Sequence, residues 1–128
     1  MAVDKNMRIL IVDDFKTMIR IIENQLQGFG FRNLDTALDG ESALKKVKEG
    51  KFDLILSDWN MQPMTGLELL KNIRADAAIK HIPVILITAE TKPENIIAAK
   101  QAGVNNYIVK PFTGNTLKEK LTAVLGQF

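Results

Sequence analysis

Short apolar runs recur along the chain, and each delivers a polar residue where the run stops. Met7-Arg8-Ile9-Leu10-Ile11-Val12 ends at Asp13-Asp14, and Leu54-Ile55-Leu56 leads through Ser57 to Asp58. Val84-Ile85-Leu86-Ile87, opened by Pro83, ends at Thr88-Ala89-Glu90, and Tyr107-Ile108-Val109 ends at Lys110-Pro111. Runs this short, β-branched and apolar on both parities predict strands covered on both faces. Phe31 to Ala37 is less apolar, which predicts a strand nearer a sheet edge.

Between the runs the apolar period lengthens to that of a helix. After Phe15, Met18, Ile21, Ile22, Leu26 and Phe29 form a face, and Gly28 and Gly30 supply a stop. Asp39-Gly40 predicts a turn, and Glu41 to Lys48 a helix with Ala43, Leu44 and Val47 inward. Beyond Gln62-Pro63 and Thr65-Gly66, a third helix carries Leu67, Leu69, Leu70 and Ile73 inward. Pro93 suits the first turn of a fourth, with Ile96, Ile97 and Ala99 leading to a stop at Gly103. Thr113 or Asn115 can cap the last, whose stripe is Leu117, Leu121 and Leu125.

Strands alternating with helices, joined by short connections without hairpin signals, predict an α/β fold. A doubly wound five-stranded parallel sheet would have helices on both faces and right-handed crossovers. In such a sheet all the carboxyl ends lie along one edge, where ligands bind. Asp13, Asp14, Asp58, Thr88 and Lys110 therefore converge on one crevice.

Composition narrows the function classes. The 128 residues suit a single domain, 1–128, with no room for a second, and 46% hydrophobic with 25% charged residues is a soluble globular balance. A net charge of +2, with its signs interleaved, gives no nucleic-acid surface. No apolar run reaches the roughly 20 residues of a membrane span. Met1 to Asn6 lacks a secretory signal and cysteine is absent, so a cytoplasmic protein is expected. The single histidine, His81, argues against a histidine metal site or a Ser-His-Asp hydrolase and reads as a solvated loop residue.

Three carboxylates in one cleft repel one another unless a proton or a cation intervenes. The available donors are oxygens, which favour a hard ion, and Mg²⁺ accepts a few carboxylates while keeping water and a phosphate oxygen as further ligands. Lys110 adds a compact positive charge and Thr88 a hydroxyl. Together these groups describe a phosphoryl site in which Asp58, as nucleophile, forms an acyl phosphate. Taken singly, Asp13-Asp14 could cap a helix, Thr88 could serve a helix entry and Lys110 could be a surface lysine. Their common position at strand ends is the signal.

Asp13-Asp14, the Asp58 strand, Met64-Thr65-Gly66, Thr88-Ala89 and Lys110-Pro111-Phe112 resemble the receiver domain of two-component response regulators over the whole chain. More narrowly, Asp13-Asp14-Phe15, Ser57-Asp58-Trp59-Asn60-Met61, Thr88-Ala89-Glu90, Glu94 to Ala99 and Tyr107 resemble the chemotaxis response regulators. The resemblance implies a flavodoxin-like strand order 2-1-3-4-5. It also implies that Asp58 takes a phosphoryl group from a histidine kinase, with Mg²⁺ held by Asp13, Asp14, Asp58 and the backbone carbonyl of Asn60. Lys110 would contact the phosphoryl group, Thr88 would move toward it, and Tyr107 would swing into the space that Thr88 leaves. The changed face, Lys92, Ile96, Tyr107 and Lys120, would then bind a target such as the flagellar motor switch. The chain would be a monomer that catalyses only its own phosphorylation and dephosphorylation, with a phosphatase as a further partner.

The chain departs from that pattern in places. Pro93 and Ala123 stand where lysine is familiar, Lys100 where alanine is, and Asn106 where glycine is. Gln62-Pro63 moves a proline one residue along, so the loop presenting Asn60 is expected to sit differently and alter Mg²⁺ affinity. Lys110-Pro111 is a candidate cis bond. Alternatives are a phosphorelay receiver or phosphate sink that does not bind the motor, and a metal-dependent aspartyl phosphohydrolase. The hydrolase would need an acid where Asn60 stands. A flavin carrier would need hydroxyls and glycine in place of Asp13-Asp14-Phe15-Lys16-Thr17.

Overall fold

The computed structural model describes residues 3–89 and 92–128, so Met1, Ala2, Glu90 and Thr91 lie outside the described residues. In chain order the elements are β1 (Arg8–Val12), α1 (Lys16–Gly28), β2 (Asn33–Ala37), α2 (Gly40–Glu49), β3 (Leu54–Asp58), α3 (Gly66–Ala75), β4 (Val84–Thr88), α4 (Pro93–Gln101), β5 (Asn106–Val109) and α5 (Gly114–Leu125). The sheet has five strands in the order β2-β1-β3-β4-β5, every pair parallel. The expected architecture and strand order are those observed.

Strand pleating divides the core between two faces. Leu10, Val12, Ile55, Val84 and Leu86 pack with residues of α2, α3 and α4. Ile9, Ile11, Leu54, Leu56, Ile85, Ile87 and Ile108 pack with residues of α1 and α5. Every residue of β3 and β4 is buried, whereas only Ala37 of β2 is, as an edge strand permits. Each fully buried aliphatic side chain contributes roughly 1.5–3 kcal/mol, so the central strands fix the frame that carries the site.

The helices begin where the local chemistry directs. Asp39 caps α2 by accepting from the Ser42 N–H at 2.7 Å, Pro93 opens α4, and Thr113, not Asn115, caps α5 by accepting from the Thr116 N–H. On α1 the inward residues are Ile19, Ile22 and Leu26, whereas Ile21, expected on that face, is exposed. A turn of about 100° per residue carries Ile21 off the stripe that Ile22 and Leu26 define. Ile97 of α4 is exposed for the same reason, and Ala99 is the buried residue. Met7 and Phe31, expected inside strands, are buried just before them. Among the described residues no helix is long and apolar enough to cross a membrane.

Arg74 ties the edge opposite the site. Its guanidinium donates to the carbonyls of Gly103 (3.1 Å), Lys80 (2.9 Å) and Ile82 (2.7 Å), and to Asn105 Oδ1 (2.8 Å). Asn105 Oδ1 also accepts from the Val84 N–H at 2.9 Å, which joins α3 to the starts of β4 and β5. Arg74→Ala is expected to cost about 3 kcal/mol, because several carbonyls lose a charged donor at once. Urea unfolding checks this.

Candidate functional site

The carboxyl ends of β1, β3, β4 and β5 meet at one edge because their registers are level. Val12 lies opposite Ser57, Asp58 opposite Ile87, and Thr88 opposite Val109. The ladder then runs one residue past the strands. Asp13 N–H donates to the Ala37 carbonyl (3.1 Å), Trp59 N–H to Ile87 (2.9 Å) and Lys110 N–H to Thr88 (2.8 Å). The backbones bearing the site are therefore held by the sheet and not by free loops.

Asp13 and Asp58 are 1% and 4% exposed, Thr88 and Ser57 are fully buried, and Asp14 faces solvent. Asp13, Asp14 and Asp58 each offer a carboxylate oxygen, all within 4.8 Å of one another. Lys110 Nζ lies 2.9 Å from Asp58 Oδ1 and 3.8 Å from Asp13 Oδ2. Among the described residues neither oxygen has a hydrogen-bond partner, so the close lysine contact is an ion pair whose angle is poor for a hydrogen bond. Asp13 Oδ1 accepts from the Phe15 N–H at 2.9 Å.

Burial raises the Asp13 carboxyl from 3.8 to about 6, with the Phe15 N–H opposing and the Asp58 charge adding to the rise. Two buried acids, each with an oxygen that has no hydrogen-bond partner among the described residues, and the exposed Asp14 beside them are a donor set that suits a hard divalent cation. Asn60, whose carbonyl was expected to join them, follows β3 by two residues on an exposed turn.

The loop after β3 is pressed against the strand end. Gly66 N–H donates to the Trp59 carbonyl at 2.9 Å. A Cβ on Gly66 would fall 2.2 Å from the Asp58 carbonyl oxygen and 2.9 Å from Trp59 Cα, so only glycine fits. Thr65 and Glu68 close a reciprocal capping box that starts α3. Met64 lies over Gly40, where a Cβ would meet its Sδ at 2.8 Å. The Gln62-Pro63 and Lys110-Pro111 bonds are both cis. The packing role of Gly66 was absent from the sequence reading, although Thr-Gly before a helical stripe was the available signal. Ser57, also passed over, is buried and donates to the Asp58 carbonyl at 2.9 Å.

The remaining expected residues lie away from the acids. Lys92 and Ile96 belong to the start of α4, Tyr107 to β5 and Lys120 to α5. Tyr107 is half-buried, and Lys120 Nζ stands 5.0 Å from its ring centre. A surface hollow of about 450 Å³ between Asn115, Lys118, Glu119 and Thr122 is on α5, away from the site residues.

Residues 9–122 match the family model described as the response regulator receiver domain. The chain is 60% identical over 121 residues to chemotaxis protein CheY-3 of Vibrio cholerae, covering 94% of this chain and 93% of that protein. It is 54% identical over 118 residues to chemotaxis protein CheY of Pseudomonas aeruginosa, covering 92% and 95%. The structure is similar to that of Vibrio cholerae CheY4, with a TM-score of 0.87, 38% identity, and 94% and 99% of the two chains covered. It is similar also to the receiver domain of a Pseudomonas aeruginosa sensor histidine kinase with a magnesium ion coordinated in its active-site cleft. That likeness has a TM-score of 0.84 at 29% identity and covers 95% and 99% of the chains.

Proposed function

This chain belongs to the response regulator receiver domain family, as a receiver of the CheY type, and from that premise we propose that Asp58 is its phosphoacceptor. The observation that carries the reading is the buried Asp58 Oδ1, without a hydrogen-bond partner among the described residues, 2.9 Å from Lys110 Nζ in a cluster of carboxylates. The carboxylate oxygen attacks the phosphorus of a phosphohistidine on a histidine kinase. The new bond is an acyl phosphate, and the bond that breaks is phosphorus to imidazole nitrogen. Lys110 offsets charge on the phosphoryl oxygens.

Asp13, Asp14 and Asp58, with the Asn60 carbonyl, would hold Mg²⁺, which when bound neutralises charge on the transferring group. The magnesium coordinated in the similar Pseudomonas receiver supports that choice of ion. Thr88 supplies a hydroxyl to the phosphorylated site, and Tyr107 follows it inward, changing the face of Lys92, Ile96, Tyr107 and Lys120. The partner of that face is the flagellar motor switch, in keeping with the chemotaxis relatives. The chain turns over only its own phosphoryl group, because Asn60 stands where an external hydrolase needs a second acid.

Trp59 is the only tryptophan and is 9% exposed, directly after Asp58. Its fluorescence is expected to fall saturably on adding Mg²⁺, and to change again with acetyl phosphate only when Mg²⁺ is present. A protein with Gln62 and Pro63 exchanged is expected to titrate at a different Mg²⁺ concentration, since the constraint on the Asn60 loop moves. A signal indifferent to Mg²⁺ and acetyl phosphate contradicts the functional reading, while superimposed curves for the two proteins contradict only the loop's role.

A further inference from the structure

On the edge strand β5, Asn106 and Tyr107 are both fastened to α5 through one residue. Asn106 Oδ1 accepts from the Tyr107 N–H at 2.9 Å, and Asn106 Nδ2 donates to the Lys120 carbonyl at 3.4 Å. The Lys120 ammonium then returns to the Tyr107 ring, 5.0 Å from its centre. The contacts form a closed loop from Asn106 to Lys120 to Tyr107, joined at the base by the Asn106-Tyr107 peptide. Glycine at 106 could make neither side-chain contact.

We propose that Asn106 and Lys120 form a clasp that holds the Tyr107 ring in its half-buried position and so sets the resting bias of the switch. The inference rests on the reading of Tyr107 as the moving element. Lys120 acts here as a positioning residue through the ring, separately from any contact with a target. A cation over an aromatic face at a partly exposed site is a modest interaction, so removing it should change the ratio of ring states by about two- to fivefold. That range suits a device that biases a two-state equilibrium without locking it. Keeping the stem while removing the charge separates the ring contact from apolar packing.

Tyr107 is the only tyrosine, so 3-fluorotyrosine labelling gives one ¹⁹F resonance for the whole chain. The parent spectrum is recorded with Mg²⁺ alone and with Mg²⁺ plus acetyl phosphate, mass spectrometry giving the phosphorylated fraction. Spectra of Lys120→Met, Asn106→Gly and Lys120→Arg follow without phosphate donor. The clasp predicts that Lys120→Met and Asn106→Gly move the resonance toward its phosphorylated position, and that Lys120→Arg, which keeps the cation, stays near the parent. A phosphorylated parent whose resonance does not move overturns the switch reading and the clasp with it. A parent that moves, with Lys120→Met and Asn106→Gly staying in place or shifting elsewhere, overturns the clasp alone.

Discussion

Asp13→Asn is expected to stabilise the metal-free protein by about 3 kcal/mol at pH 7, or about 10 °C in thermal midpoint. The cause is the buried carboxyl, whose proton leaves only near pH 6, against 3.8 in its ordinary state. The folded chain binds this proton more tightly than the unfolded chain, so the contribution of Asp13 to stability is most favourable below about pH 4. It declines as pH rises through about 6, and the loss is complete above that. Asn carries no such penalty, so the advantage of the variant should vanish toward pH 4. Urea unfolding of both proteins from pH 4 to 8 without divalent ions checks the slope, and parallel curves contradict it. Added Mg²⁺ should stabilise the parent by relieving the crowded carboxylates and should do far less for Asp13→Asn.

Gly66→Ala carries the other large expected effect, in the opposite direction. The new methyl would lie 2.2 Å from a backbone oxygen of Asp58 and 2.9 Å from a backbone carbon of Trp59, neither of which can rotate away. Relief requires moving either the start of α3 or the end of β3. The expected cost is about 3 kcal/mol, with weaker Mg²⁺ binding because Asp58 is displaced. Gly28→Ala is the control. A Cβ there meets open space on a helix, so stability should hold or rise by up to about 1 kcal/mol. Equal unfolding midpoints for Gly66→Ala and the parent would show that the loop yields more readily than its backbone contacts allow.

The fold was legible wherever burial on both faces left an unbroken apolar run. β3 and β4, buried at every residue, had the plainest sequences, and their polar ends located Asp58 and Thr88. The weaker run of β2 correctly indicated an edge because a half-covered strand needs fewer apolar side chains. Helical faces were less legible. Ile21 and Ile97 are apolar but lie off the stripes, and residue type alone does not carry angular position. Contacts to backbone were the least legible. Neither Gly66 under Asp58, nor Arg74 across three carbonyls, nor the bond from Asn106 of β5 to α5 follows a local pattern, since each depends on segments brought together by the fold. The acids and Lys110 were accessible to reasoning because topology alone places strand ends on one edge. Their burial and unpartnered oxygens were not, because these depend on how the loops close over the edge.

The most direct test of the central claim is the mass of the intact protein after incubation with acetyl phosphate and Mg²⁺, for the parent and for Asp58→Asn. The parent is expected to gain the mass of a single phosphoryl group, to lose it again on standing, and to gain nothing when EDTA replaces Mg²⁺. Asp58→Asn is expected to keep its original mass under all conditions. A phosphoryl adduct that forms equally on Asp58→Asn contradicts the assignment of Asp58 as the acceptor.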